Sequence, residues 1–201
     1  MIAKVRSLLG LPWVYQMFFN MVGGPRRSRI LVREYIQPRP GSRILEIGCG
    51  PGTIVPFLPP SEYVGFDMSP GYIELARRRY PEQTFICERV SQYTLPQQSY
   101  FDFVLALGIV HHLEDSEALQ LFRIAHDALR PGGKLVTLDG VFIKEQSAAA
   151  KYLLARDRGR FVRSREAYEQ IASQAFARVK VNIRHDMLRI PYTEIVLECT
   201  R

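Results

Sequence analysis

The sequence is poor in cysteine. It has three, Cys49, Cys87 and Cys199, too far apart for zinc-ligand spacing or a disulfide framework. That pattern suits a reducing compartment, and a cytoplasmic location without a bound metal is expected. Long apolar runs are also missing. The longest, Leu8 to Val22, is interrupted by Pro12, Gln16 and Asn20. A membrane span needs about 20 apolar residues, so this run is too short. It follows Lys4 and Arg6 as a signal peptide would, but no small-residue cleavage site comes after it. Acidic residues are scarce at both ends. Residues 1–40 carry seven Lys/Arg against one Glu, and residues 141–201 twelve basic against seven acidic. Between them the acids are in excess, twelve against eight. Basic flanks can attract an anionic substrate, a membrane surface or nucleic acid, or can simply keep a surface solvated. Repeats, low-complexity tracts and linkers are absent, so 1–201 reads as a single domain.

What is present is a rhythm of strands and helices. The central stretch is Arg43-Ile44-Leu45-Glu46-Ile47-Gly48-Cys49-Gly50-Pro51-Gly52-Thr53. An apolar strand runs into a tight glycine loop, and the apolar segment beyond is expected to start a helix. Further strands are expected at 62–66, 84–87, 101–107 and 134–139, and a closing antiparallel pair at 178–184 and 193–200. Helices are expected at 70–80, 115–130 and 165–176. Alternation of this kind implies a parallel sheet covered on both faces. Residues 1–40 read as a helical cap, an amphipathic segment with Trp13, Tyr15, Phe18 and Phe19 followed by a basic helix from Arg26. Peripheral membrane contact through this segment is a second reading.

The loop excludes two phosphate-binding motifs. Its G-x-G-x-G spacing is not the dinucleotide G-x-G-x-x-G, and no Lys stands where a P-loop needs one. The stretch resembles instead the first motif of the class I S-adenosylmethionine-dependent methyltransferases. Three further stretches carry the resemblance. Asp67 ends the second strand 21 residues after Glu46, where an acid can accept both ribose hydroxyls. Phe101 to Gly108 with Ile109-Val110-His111-His112-Leu113 matches the strand end beside the reacting methyl. Leu129 to Leu135, with Pro131-Gly132-Gly133, matches the family's helix-to-strand corner.

The resemblance implies an α/β, Rossmann-like, seven-stranded, mostly parallel sheet with helices on both faces and an antiparallel last strand. It implies S-adenosylmethionine as cofactor and S-adenosylhomocysteine as product, held by Glu46, Gly48, Cys49, Gly50, Gly52, Asp67, Met68, Glu88, Arg89, Val90 and Leu107. One position departs from the pattern. Arg89 stands where relatives often have an acid for the adenine amine, and a guanidinium cannot accept that hydrogen bond. Glu88, or backbone near Val90, is the substitute.

The activated methyl needs no protein nucleophile, so alignment and removal of a proton are the remaining tasks. His111 and His112 are the candidate catalytic residues, either of them base or packing group. Gly108-Ile109-Val110-His111 replaces the Asn/Asp-Pro-Pro-Tyr motif of amino methylation, and no Cys follows Pro as cytosine C5 methylation requires. A small-molecule or lipid-linked oxygen acceptor is therefore expected, and nucleic acid is disfavoured. Segment 144–163 reads as an insertion over the acceptor pocket. Its Arg156, Arg158, Arg160 and Arg163, with Gly159 as the turn, suggest an anionic acceptor, Tyr15 adding a contact from the cap. A solvated basic loop is the alternative reading of that segment. A binding protein without methyl transfer, an aminopropyl transferase and a nucleic-acid methyltransferase stay open as alternative functions, as does the oligomeric state.

Overall fold

The computed structural model describes residues 12–95, 97–157 and 159–201; of Pro12, Trp13 and Tyr15 it describes only the backbone. Five strands run parallel in the order β3 (Thr84–Cys87), β2 (Glu62–Asp67), β1 (Arg43–Ile47), β4 (Phe101–Leu107), β5 (Leu129–Phe142). β8 (Glu194–Thr200) lies antiparallel to β5, and β7 (Arg178–Arg184) lies antiparallel to β8. The expected seven strands are joined by an eighth: β6, the pair Arg163–Ser164, adds parallel to the far end of β5 at Val141 and Phe142. No sequence pattern marks so short a strand.

Strand residues alternate between two cores. Leu45, Ile47, Val104 and Ala106 pack on one face, with α4 (Asp115–Ala128) and α6 (Arg165–Ser173). Ile44, Leu105 and Val136 pack on the other, with α2 (Gly24–Ile30), its π-helical continuation Leu31–Ile36, and α3 (Pro70–Arg79). Burial on both faces is why these strands read as near-continuous apolar runs. In α4, Ala118, Leu121, Phe122 and Ala125 fall at helical spacing and are fully buried. In α3, Ser69 caps the N-terminus with its hydroxyl and Arg77-Arg78-Arg79 occupy the last turn.

The segment after the glycine loop is not an α-helix. It is a set of turns with one short 3-10 stretch, Val55–Phe57. Pro56, Pro59 and Pro60 follow closely, and each removes a backbone donor a helix would need. Segment 144–163 contains α5 (Ala148–Leu154), capped by Ser147. At the N-terminal end, α1 (Pro12–Met21) is tied to the 185–192 loop, where Arg189 N–H donates to the Val22 carbonyl at 2.8 Å. Residues 1–11 of the expected cap lie outside the described residues. Among the described residues, no helix is long and apolar enough to cross a membrane.

Candidate functional site

The carboxyl ends of β1, β2 and β4 meet at the glycine loop. The Gly48 and Cys49 N–H groups both donate to the Phe66 carbonyl, at 2.8 and 3.0 Å, which pins the loop to β2. Gly48 has φ +71°, and a Cβ there would lie 2.3 Å from the Ile109 side chain. Gly50 has φ +52°, and a Cβ there would meet nothing within 4 Å. The Gly50 N–H donates to Asp67 Oδ2 at 3.0 Å, and the Ser69 N–H donates to Oδ1 at 2.8 Å. Burial raises the Asp67 pKa, and these backbone bonds pull it back. Each carboxylate oxygen keeps acceptor capacity, the arrangement a vicinal diol requires.

Around this crevice, the Glu88 N–H donates to the Asp67 carbonyl at 3.0 Å, setting the end of β3 beside the end of β2. Met68 and Arg89 are exposed, Val90 is buried in the core, and Gly52 packs against Tyr80. Cys49 is buried, and burial pushes its thiol well up. Leu107 ends β4 and lines the cavity described below.

Glu46 is buried and receives a hydrogen bond from the Tyr63 hydroxyl. Burial pushes its pKa up to about 8, against the pull of that bond, and Asp67 adds to the rise. Its folded pKa thus lies above its ordinary 4.5. Its stabilising contribution is full below pH 4.5 and is lost as pH rises through about 8. Glu46→Gln removes this titration. The parent should lose on the order of a few kcal/mol more than the variant between pH 5 and 8.5. Thermal unfolding across that range reads the difference, and parallel curves would refute a protonated Glu46.

Beside the crevice is a cavity of about 310 Å³. Phe18, Phe19 and Val22 come from α1 and the turn after it, Leu107, Gly108, His111 and His112 from the end of β4 and the turn beyond it, and Leu138 to Gly140 from β5. Leu153, Arg156 and Asp157 come from segment 144–163, and Tyr192 and Glu194 from the approach to β8. His111 is held at both ring nitrogens. Nδ1 is 2.6 Å from Asp139 Oδ1, which also accepts the His111 backbone N–H at 3.0 Å. Nε2 is 3.3 Å from Asp157 Oδ1. Burial lowers the His111 pKa, but the bonds to Asp139 and Asp157 outweigh it and push it up to about 9. Burial also raises Asp139, against its bond to His111. Asp157 is held below the usual carboxylate range by His111, in spite of burial. His112 is exposed, lines the same cavity, and its ring lies 4.2 Å from that of His111.

The structure does not gather the arginines of segment 144–163. Arg156 lines the cavity, its guanidinium 3.6 Å from the centre of the Tyr152 ring. Arg160 is exposed and outside the cavity lining. Arg158 and the Tyr15 side chain lie outside the described residues. Arg163 is buried and turns inward. Its guanidinium donates to the carbonyls of Val110, Leu113 and Phe161 at 2.7–3.0 Å and to Asp115 Oδ1 at 2.7 Å. Gly159 serves a close approach: a Cβ there would lie 1.9 Å from His111 Cδ2. The Phe161 N–H donates to the His111 carbonyl at 3.0 Å, so the segment is stitched over His111.

Sequence reasoning missed Asp139, Asp157, Tyr192, Glu194 and Arg27. Two carried a signal. Asp139 ends the strand expected at 134–139, and Glu194 is an acid at the start of an apolar one. Residues 44–133 match the model of a methyltransferase domain family. This match and the relatives support the class I S-adenosylmethionine-dependent methyltransferase family. This methyltransferase domain is 27% identical over 134 residues to an uncharacterized methyltransferase of Synechocystis sp., covering 64% of this chain and 63% of that one. It is 26% identical over 197 residues to phosphoethanolamine N-methyltransferase 2 of Caenorhabditis elegans, covering 92% of this chain and 43% of the relative. The chain therefore spans less than two thirds of these relatives' lengths. The fold is shared with phosphoethanolamine N-methyltransferase 2 of Haemonchus contortus, solved in complex with S-adenosyl-L-methionine. There the TM-score is 0.69 at 18% identity, covering 88% of this chain and 52% of that one.

Proposed function

We propose that this methyltransferase domain transfers a methyl group from S-adenosylmethionine to a small-molecule acceptor in the cavity beside Leu107. The supporting observation is the Gly50–Asp67 pair, a carboxylate oriented by two backbone N–H groups beside a glycine with open space around it. Asp67 would take the ribose hydroxyls, Gly48 and Gly50 would admit the ligand against the backbone, and Leu107 would lie beside the sulfonium. The cofactor brings the activated methyl when bound. The chain's own task is to place the acceptor in line and to exclude water. Phe18 and Phe19 of α1 and residues 153–157 close the cavity on two sides, the role proposed for the cap and the insertion. A cavity of about 310 Å³ admits a small molecule or one flipped-out group, which favours a small acceptor over a folded nucleic acid.

An oxygen acceptor carrying an anionic group is the reading suggested by the histidines and arginines. Of those residues, His111, His112 and Arg156 stand at the cavity. His111 has both ring nitrogens engaged, so it would orient the wall rather than take the proton.

Calorimetry with S-adenosylmethionine and S-adenosylhomocysteine tests the cofactor assignment. Asp67→Ala is expected to weaken both by about 1–3 kcal/mol, the loss of charge-assisted bonds to two hydroxyls. Unchanged affinity in a folded variant would remove Asp67 from the site. Formation of S-adenosylhomocysteine only when acceptor is added separates an enzyme from a binding protein.

A further inference from the structure

Two buried carboxylates in the cavity have an oxygen that no donor among the described residues satisfies. Asp139 is 2% exposed. Its Oδ1 takes both the ring and the backbone N–H of His111, while Oδ2 has no hydrogen-bond partner among the described residues. Glu194 is also 2% exposed. Its Oε1 accepts from Arg27 at 3.0 Å, while Oε2 has no hydrogen-bond partner among the described residues. Each acid thus commits one oxygen to a fixed cation and leaves the other over. A buried, unpaired carboxylate oxygen costs free energy unless a donor supplies the missing bond. Both residues line the same cavity, beside Leu107 and Gly108 at the proposed methyl-donating end. Asp157 is a third acid there, and its Oδ2 accepts the Tyr192 hydroxyl at 2.8 Å. Their nearest cations are His111, which is buried, and Arg27, which is half-buried, with Arg163 and Arg184 acting from farther off; Arg156 is exposed, on Tyr152.

We infer that the cavity selects an acceptor with a primary or secondary amine, held by Asp139 and Glu194, and that the nitrogen receives the methyl group. An ammonium has donors and no acceptor, so it can supply a bond to each of the two unpartnered oxygens. A hydroxyl can supply one donor and leaves one of the two oxygens without a bond. Phe18 and Tyr192 supply aromatic surface, which tolerates an ammonium as it gains methyl groups. The inference rests on the methyltransferase reading and replaces oxygen by nitrogen as the reacting atom. The bound ammonium first gives one proton to Asp139. The nitrogen lone pair then forms the N–C bond as the methyl C–S bond breaks, and that electron pair stays on sulfur. The product ammonium leaves with its methyl group, and Asp139 returns its proton to solvent.

The test is calorimetry with primary alkylammonium ions, methyl to butyl, and alcohols of the same length, each with and without bound S-adenosylhomocysteine. At least one ammonium should bind saturably, and no alcohol should match it. Asp139→Asn and Glu194→Gln should each weaken that ammonium about tenfold to a hundredfold, with S-adenosylhomocysteine affinity retained. Retained affinity also reports that the variants fold, and Glu194→Gln carries the test if Asp139→Asn does not. With S-adenosylmethionine, mass spectrometry should find the methyl group on nitrogen. The inference is overturned if no ammonium binds, if alcohols bind as well, or if both variants bind ammonium like the parent. Failure to bind S-adenosylhomocysteine would overturn the methyltransferase reading, and the ammonium titrations without it would still decide this one.

Discussion

Replacing Arg163 with alanine should cost about 3–4 kcal/mol of stability and release the segment that covers the cavity. The Arg163 side chain is buried and donates to three backbone carbonyls as well as to Asp115. Two of those carbonyls, Val110 and Leu113, bracket His111 and His112. Most of the cost comes from carbonyls left without a donor, since Asp115 is exposed and its ion pair is worth little. For a domain of this size, the loss corresponds to a fall in melting temperature of about 10 °C. Arg163→Lys should recover only part of it, because an ammonium cannot reach around to three carbonyls and a carboxylate as a planar guanidinium does. Thermal unfolding measures the loss. Limited proteolysis should show faster cleavage between 144 and 162. A variant melting within about 1 °C of the parent would refute the role of Arg163 as the staple of this segment.

The second large effect is expected at Gly48. Alanine there must hold φ +71° and push into Ile109, whose side chain would lie 2.3 Å from the new Cβ. The left-handed conformation alone costs about 1–2 kcal/mol for a residue with a Cβ. Ile109 precedes the His111–His112 stretch, and both sides of the loop are tied down, to Phe66 and to Asp67. The strain cannot relax without shifting the crevice. Gly48→Ala should therefore lose about 2–3 kcal/mol of stability and bind S-adenosylhomocysteine at least about tenfold more weakly. Gly50→Ala is the comparison: it carries the same backbone penalty without a clash, since nothing lies within 4 Å. Its stability loss should be smaller, while its cofactor affinity falls because the new Cβ enters the space the ligand needs. Equal stability losses in the two variants would show that the Ile109 contact carries no weight.

The parallel sheet was legible because its strands are buried on both faces. Val104, Leu105 and Ala106 leave no polar alternation to confuse with a loop, and α4 places its buried residues at helical spacing. The glycine-loop crevice, the proposed cofactor site, was legible for a different reason. Its geometry is made by backbone, so glycines and one acid at a set distance describe it almost completely. The misjudged helix after the loop failed on Pro56, Pro59 and Pro60, whose missing donors outweigh the apolar pattern around them.

The chain by itself determined the order of strands and helices, the glycine loop, and Asp67 at the end of β2, because these depend on local spacing and burial pattern. The tertiary structure alone decided the cavity proposed for the acceptor. Its acids, Asp139, Asp157 and Glu194, and its cation Arg27 come from four stretches as far as 167 residues apart. Folding also divided the arginines, leaving Arg156 at the cavity and burying Arg163 among carbonyls. A guanidinium reads the same in sequence whether it meets solvent or a ring of backbone oxygens. Only the path of the chain over His111, and the close approach allowed at Gly159, settles which it does.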